Sequence, residues 1–164
     1  MSFQSQVAHA LDEEHRASLD ILGRIEQAFA RAPRKGAGND PDLQRLAGEF
    51  ARHLEQDIGR HFDFEEAELF PRMAEMGEGD IAEMLADEHD AIREAAETLL
   101  PLAWAASSGE LDEKGWQQLK IGVMDMVERQ VAHIQKETMG LLPVVEDLLD
   151  GETDRELAFQ YAAA

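Results

Sequence analysis

His61-Phe62-Asp63-Phe64-Glu65-Glu66-Ala67-Glu68-Leu69-Phe70-Pro71 decides how the rest of the chain is read. It carries a His and a Glu four residues apart. On a helix those positions lie one turn apart on one face. An imidazole nitrogen and a carboxylate oxygen placed so reach the same small volume. That suits a divalent metal, which gathers several donors at about 2 Å. The spacing recurs in His133-Ile134-Gln135-Lys136-Glu137-Thr138-Met139-Gly140-Leu141-Leu142-Pro143. Two such helices facing each other could hold two metals between them.

Outward from this stretch, helical periodicity dominates and strand alternation is absent. Leu11, His15, Ser18, Leu22, Ile25 and Phe29 fall at spacings of three and four, the inner stripe of a first helix from about Ser5 to Ala32. The run from Pro33 to Asp40 has turn composition. Asp40-Pro41 predicts an N-cap with Pro in the first helical turn. The second stripe is Leu43, Leu46, Phe50, Leu54, Ile58, His61, Glu65 and Leu69, with Pro71 bending or ending the helix and Gly77-Glu78-Gly79 as the turn. Asp80 with Glu83 reads as a capping box for a third helix bearing Ile81, Leu85, His89, Ile92, Ala96 and Leu99. A fourth runs through Trp116, Leu119, Val123, Met126, His133, Glu137, Leu141 and Val144, ending near Asp150. The expectation is an all-α, up-down-up-down four-helix bundle over residues 1–150. The tail over 151–164, with Phe159 and Tyr161, reads as a short docked or frayed segment.

The two halves repeat. Leu11-Asp12-Glu13-Glu14-His15 matches Leu85-Ala86-Asp87-Glu88-His89, and His61-x-x-x-Glu65 matches His133-x-x-x-Glu137. The offset from His15 to His89 nearly equals that from His61 to His133. A two-helix unit used twice gives a pseudo-twofold axis, and a dinuclear site on it takes the same donors from each half. That is two His per metal, with Glu65 and Glu137 placed to bridge. Unpaired, those carboxylates would be costly to bury among Leu and Phe.

Composition narrows the partners. The 164 residues suffice for one domain with a hydrophobic core. The formal net charge of -20 disfavours nucleic acid and an anionic membrane surface, both of which call for a basic face. The lack of Cys excludes disulfides, thiolate metal sites and Cys nucleophiles. Neither a signal peptide at Met1-Ser2-Phe3-Gln4 nor a long apolar run is visible, so the expected location is the cytoplasm.

Taken together, these residues resemble the hemerythrin-like, or HHE, cation-binding family. The resemblance covers roughly Ser5 to Asp150 and rests on six positions in order. It implies a non-haem di-iron centre with His15, His61, His89 and His133 as terminal iron ligands and Glu65 and Glu137 as bridging carboxylates. The implied cofactor is two iron ions, oxo- or hydroxo-bridged, although imidazole and carboxylate donors also suit other divalent metals. There are two departures. Arg93 stands where oxygen-carrying members have a fifth His, and Glu137 follows its His by four residues rather than five. Arg cannot ligate. The departure at Arg93 implies exchangeable metal positions, which favour chemistry with oxygen, peroxide or nitric oxide over stable oxygen carriage. Catalase-like, peroxidase-like or nitric-oxide-reducing turnover is the enzymatic form of that reading; cation binding, iron storage or sensing without turnover is the alternative. A ferritin-like site is disfavoured, because it uses Glu-x-x-His at i and i+3.

The remaining candidates carry blander expectations. His53 lies about 12 Å along the axis from His61 and is expected at the surface or partly buried. His9 points elsewhere. Asp57 is read equally as a partner of the His61 imidazole or as a solvated acid. Glu14 and Glu88 recur beside His15 and His89 and could back an imidazole, but solvent is the expectation preferred, since adjacent helix positions diverge by about 100°. Arg93 is expected to reach a bridging Glu, to gate access, or equally to pair with surface acids such as Glu97. Met73, Met76, Met84, Met124, Met126 and Met139 are expected mostly as core filler.

Overall fold

The computed structural model describes residues 3–33 and 36–164. Met1 and Ser2, and Arg34 and Lys35 of the turn expected at Pro33 to Asp40, lie outside the described residues. Among the described residues, five helices carry the chain. They are α1 (Gln6–Ala30), α2 (residues 41–75), α3 (Gly79–Ser107), α4 (Glu113–Gly140) and α5 (Gly151–Ala163). Short helical turns lie at Ala37–Asn39, Leu142–Val144 and Val145–Leu148. No strand occurs among the described residues. No helix among them is long and apolar enough to cross a membrane.

The all-α expectation holds, and the helix count is five rather than four. The tail is α5. Asp150 caps it by accepting from Thr153 N at 2.7 Å, and Asp154, Leu157 and Tyr161 are buried along one side. The fourth helix stops at Gly140, ten residues before the expected end. Pro143 has no N–H and disfavours helix in the residue before it, so the chain tightens there into the turn Leu142–Val144. Asp40 caps α2 as expected, accepting from Asp42 N and Leu43 N. Asp80 does not cap α3. That helix already begins at Gly79, and Asp80 sits in its first turn, where a negative charge favours the helix dipole. Pro101 lies inside α3, which continues to Ser107.

Helix α2 departs from regular geometry twice. Residues His53–Asp57 and Glu65–Leu69 form π-helical turns, in which Ile58 N bonds to His53 O and Phe70 N to Glu65 O. Each turn accommodates one extra residue, so consecutive side chains point inward: His53 with Leu54, and Leu69 with Phe70. Pro71, which cannot donate to such a ladder, comes two residues after the second π turn ends at Leu69.

The chain divides into two compact units. One comprises Met1–Ala17, Arg60–His89 and Ala132–Ala164. Its core joins Val7, Leu11, Leu69, Met73, Leu85, Leu141, Val145 and Leu157. Asp154 ties α5 to the start of α1, accepting from Ser5 Oγ at 2.5 Å, Gln6 N at 2.8 Å and Val7 N at 3.1 Å. The other comprises Ser18–Gly59 and Asp90–Val131. There Phe29 packs on Trp116 with ring centroids 5.3 Å apart. His53, expected near the surface, is buried in this unit and bonds Gln130 Oε1 at 2.9 Å; the π turn at His53 rotates it inward. Of the methionines expected in the core, Met73 and Met126 are buried, whereas Met76, Met84 and Met139 are exposed.

Candidate metal centre

All six candidate ligands fall within one unit, and all are buried. His15 comes from α1, His61 and Glu65 from α2, His89 from α3, and His133 and Glu137 from α4. The apolar stripe of each helix carries them inward. In α2 the π turn opens at Glu65, so the α-helical stretch Ile58–Phe64 delivers His61 and the i+4 carboxylate together.

The donors form two groups that share the carboxylates. One is His15, His61, Glu65 and Glu137; the other is Glu65, His89, His133 and Glu137. In each group the candidate ligand atoms lie within 4.8 Å of one another. Glu137 Oε1 lies 2.9 Å from His15 Nε2 and 3.5 Å from His61 Nε2, while its Oε2 lies 2.7 Å from His133 Nε2 and 3.1 Å from His89 Nε2. Glu65 Oε2 lies 2.9 Å from His61 Nε2, and its Oε1 lies 3.1 Å from His89 Nε2. Each carboxylate therefore turns one oxygen to each imidazole pair. That is the arrangement two bridging carboxylates require.

Behind each imidazole a second helix supplies a partner for Nδ1. Glu14 Oε1 accepts from His61 at 2.9 Å, Glu66 Oε2 from His89 at 2.6 Å and Glu88 Oε1 from His133 at 2.8 Å. Thr138 Oγ1 lies 3.3 Å from His15 Nδ1. With Nδ1 engaged outward, each Nε2 points to the centre, and the tautomer a cation needs is set. Phe62 lies flat on the His89 ring, with centroids 3.7 Å apart and planes 6° apart.

Several of these partners depart from expectation. Glu14 and Glu88, expected in solvent, are half-buried and hold imidazoles of neighbouring helices. The 100° argument separates Glu14 from His15 on its own helix but says nothing of the helix beside it. Asp57 is exposed and lies 3.7 Å from the buried His53, so the partner of His61 is Glu14 instead. Glu66 and Thr138 were not singled out in the sequence; their signal is that each directly follows a candidate ligand glutamate. Arg93 pairs with Asp90 at 3.4 Å. His9 pairs with Glu13 on the surface.

The residues fit a pair of cations. Glu65 Oε1 is buried and makes no directed hydrogen bond, an acceptor aimed into the centre. Burial alone would lower the basicity of His61 and His89, yet the carboxylates override it. His61 is held well above its ordinary value, chiefly by the charge of Glu65 and hydrogen bonds to Glu137, Glu14 and Glu65. His89 is raised to about 9 by Glu137 and Glu65. Burial would raise Glu137, but the imidazoles around it hold it well below the usual carboxylate range. Glu65 goes the other way, raised by burial and by the charge of Glu137. The centre thus favours positive charge, whether as protons or as metal ions.

Among curated proteins, none matches this sequence. A family model described as "Hemerythrin HHE cation binding domain" matches residues 6–145. That span contains all six convergent residues, and the chain belongs to the hemerythrin HHE cation-binding family.

Proposed function

We propose that the chain is a non-haem di-iron protein. In this reading His15 and His61 hold one ion, His89 and His133 the other, and Glu65 and Glu137 bridge them. The observation that carries it is the division of each carboxylate's two oxygens between the two imidazole pairs. Four helices in up-down-up-down order, with α5 added, are the proposed frame. When bound, iron would supply redox change and open coordination positions for oxygen, peroxide or nitric oxide.

The chain's own residues do the rest. Two imidazoles and two carboxylate oxygens would offer each ion four protein donors, with room left for an exogenous ligand. Glu14, Glu66 and Glu88 keep Nδ1 protonated and fix the planes of three rings. Phe62 and Phe70 cover His89, with the Phe70 ring 5.4 Å away, and so keep water from that side. The alternative is cation binding or storage without turnover.

Anaerobic loading with ferrous iron, followed by peroxide and then nitric oxide, separates the readings. Two irons per chain with peroxide consumption or nitric oxide reduction supports an enzyme. A stable adduct without turnover supports a binder or sensor. Two irons indifferent to both reagents would leave storage as the function, and failure to bind two ions would remove the dinuclear reading altogether.

A further inference from the structure

Helix α5 lies beyond the residues that the family model matches, yet it reaches the metal centre. We propose that Tyr161 of α5 is a positioning residue for the metal position formed by His15 and His61, acting through Glu14. This rests on the dinuclear reading above. The Tyr161 hydroxyl donates to Glu14 Oε1 at 2.5 Å, and the same oxygen accepts from His61 Nδ1 at 2.9 Å. Arg60 closes the arrangement. Its Nη1 donates to Glu14 Oε2 at 2.9 Å, its Nη2 donates to the Tyr161 carbonyl, and its guanidinium carbon lies 3.9 Å over the Tyr161 ring. That carbonyl is among the last of α5, which have no partner within the helix, so Arg60 also caps the helix.

The physical reason for the arrangement is the exposure of Glu14. Its side chain is 34% exposed, so alone it would rotate and exchange its bond to His61 for water. Donors on both oxygens, one from Tyr161 and one from Arg60, leave it one orientation. The imidazole plane of His61 follows, and with it the direction of Nε2 toward Glu65 and Glu137. Tyr161 is itself held, buried with Phe64 at 4.6 Å between ring centroids. The corresponding carboxylate in the other half, Glu88, has the Lys136 ammonium beside it.

Tyr161→Phe removes the hydroxyl and keeps the ring. Cobalt(II) is the probe, added stepwise to the metal-free full-length protein and read by its visible bands. In the wild type two equivalents bind. In Tyr161→Phe one equivalent, the one that His15→Ala also removes, weakens about five- to tenfold and its bands shift. That is at or just below the low end of the roughly 10- to 100-fold that loss of an outer partner costs a metal site, as fits a group one bond further out. The other equivalent is unchanged. In a Glu14→Ala background, Tyr161→Phe adds no further loss, as a shared path requires. Leu157→Ala, which removes core packing and leaves the Tyr161, Arg60 and Glu14 bonds in place, lowers stability and leaves the two equivalents in their wild-type proportion. The proposal is overturned if Tyr161→Phe leaves both equivalents and their bands as in the wild type, weakens both alike, or keeps its full effect without Glu14. Fewer than two equivalents in the wild type would instead sink the dinuclear reading itself.

Discussion

Glu66 and Thr138 occupy equivalent places in the two halves, each directly after a convergent glutamate, but they do not back their imidazoles equally. Glu66 Oε2 accepts from His89 Nδ1 at 2.6 Å, whereas Thr138 Oγ1 lies 3.3 Å from His15 Nδ1. A carboxylate makes its imidazole a stronger donor than a hydroxyl does. Both imidazoles of the His89 and His133 position have carboxylate partners; the His15 and His61 position has one. The first position is therefore expected to load first. Crystals of protein given a single equivalent of metal, examined by anomalous scattering, would show the ion beside His89 and His133; equal occupancy would count against the asymmetry.

Glu88→Ala removes the partner of His133 Nδ1 without touching any inward-facing donor. Glu88 also meets Lys136, but a partly exposed ion pair is worth at most about 1 kcal/mol, so folding should survive. Metal affinity at the His89 and His133 position is expected to fall about 10- to 100-fold. A competition titration against a coloured chelator measures this, with thermal unfolding of the metal-free variant as the control for folding.

Acidity and metal compete at the same nitrogens. In the metal-free protein His89 titrates at about 9, above its ordinary value of 6.5, and His61 is shifted in the same direction. The stability His89 brings is complete below 6.5 and is lost as pH rises through about 9, and that of His61 is likewise lost on the alkaline side. Glu137, held low, brings stability that is lost as pH falls through the acid range. Urea unfolding of the metal-free protein should therefore show declining stability from neutral pH toward 9, a decline absent once metal occupies Nε2. Metal uptake at pH 7 should release protons, seen as a binding heat that varies with the ionisation enthalpy of the buffer.

Glu137 is the residue on which all four imidazoles converge. Glu137→Ala is expected to abolish binding at both positions, because each loses a donor and the bridge. It also leaves buried His61 and His89 without one of the two carboxylates that raise their basicity, at a cost of roughly 3 kcal/mol or more in the metal-free protein. Elemental analysis and urea unfolding read the two effects separately.

The convergent set was legible in the sequence because donors that meet at one point impose order across four helices. Donors must converge, so His and Glu recur at helical spacing and in register between the halves. Their partners were harder to see, since each comes from a different helix. His61 takes Glu14 from α1, His89 takes Glu66 from α2, His133 takes Glu88 from α3, and His15 takes Thr138 from α4. Every one of these partners is the sequence neighbour of a ligand on its own helix. Neighbours on one helix diverge by about 100°, and that divergence lets one serve the centre while the other serves the next helix. Periodicity at 3.6 residues could not register the two π turns of α2, and so His53 was misplaced. It also understated α5, whose few inward residues, Asp154, Leu157 and Tyr161, make a weak stripe among polar ones.

The most direct test of the central claim is an anomalous-scattering map of crystals grown from protein loaded anaerobically with ferrous iron. The account expects two iron peaks per chain between Glu65 and Glu137, one beside His15 and His61 and one beside His89 and His133. A single peak, no peak, or iron held only by surface carboxylates would contradict it.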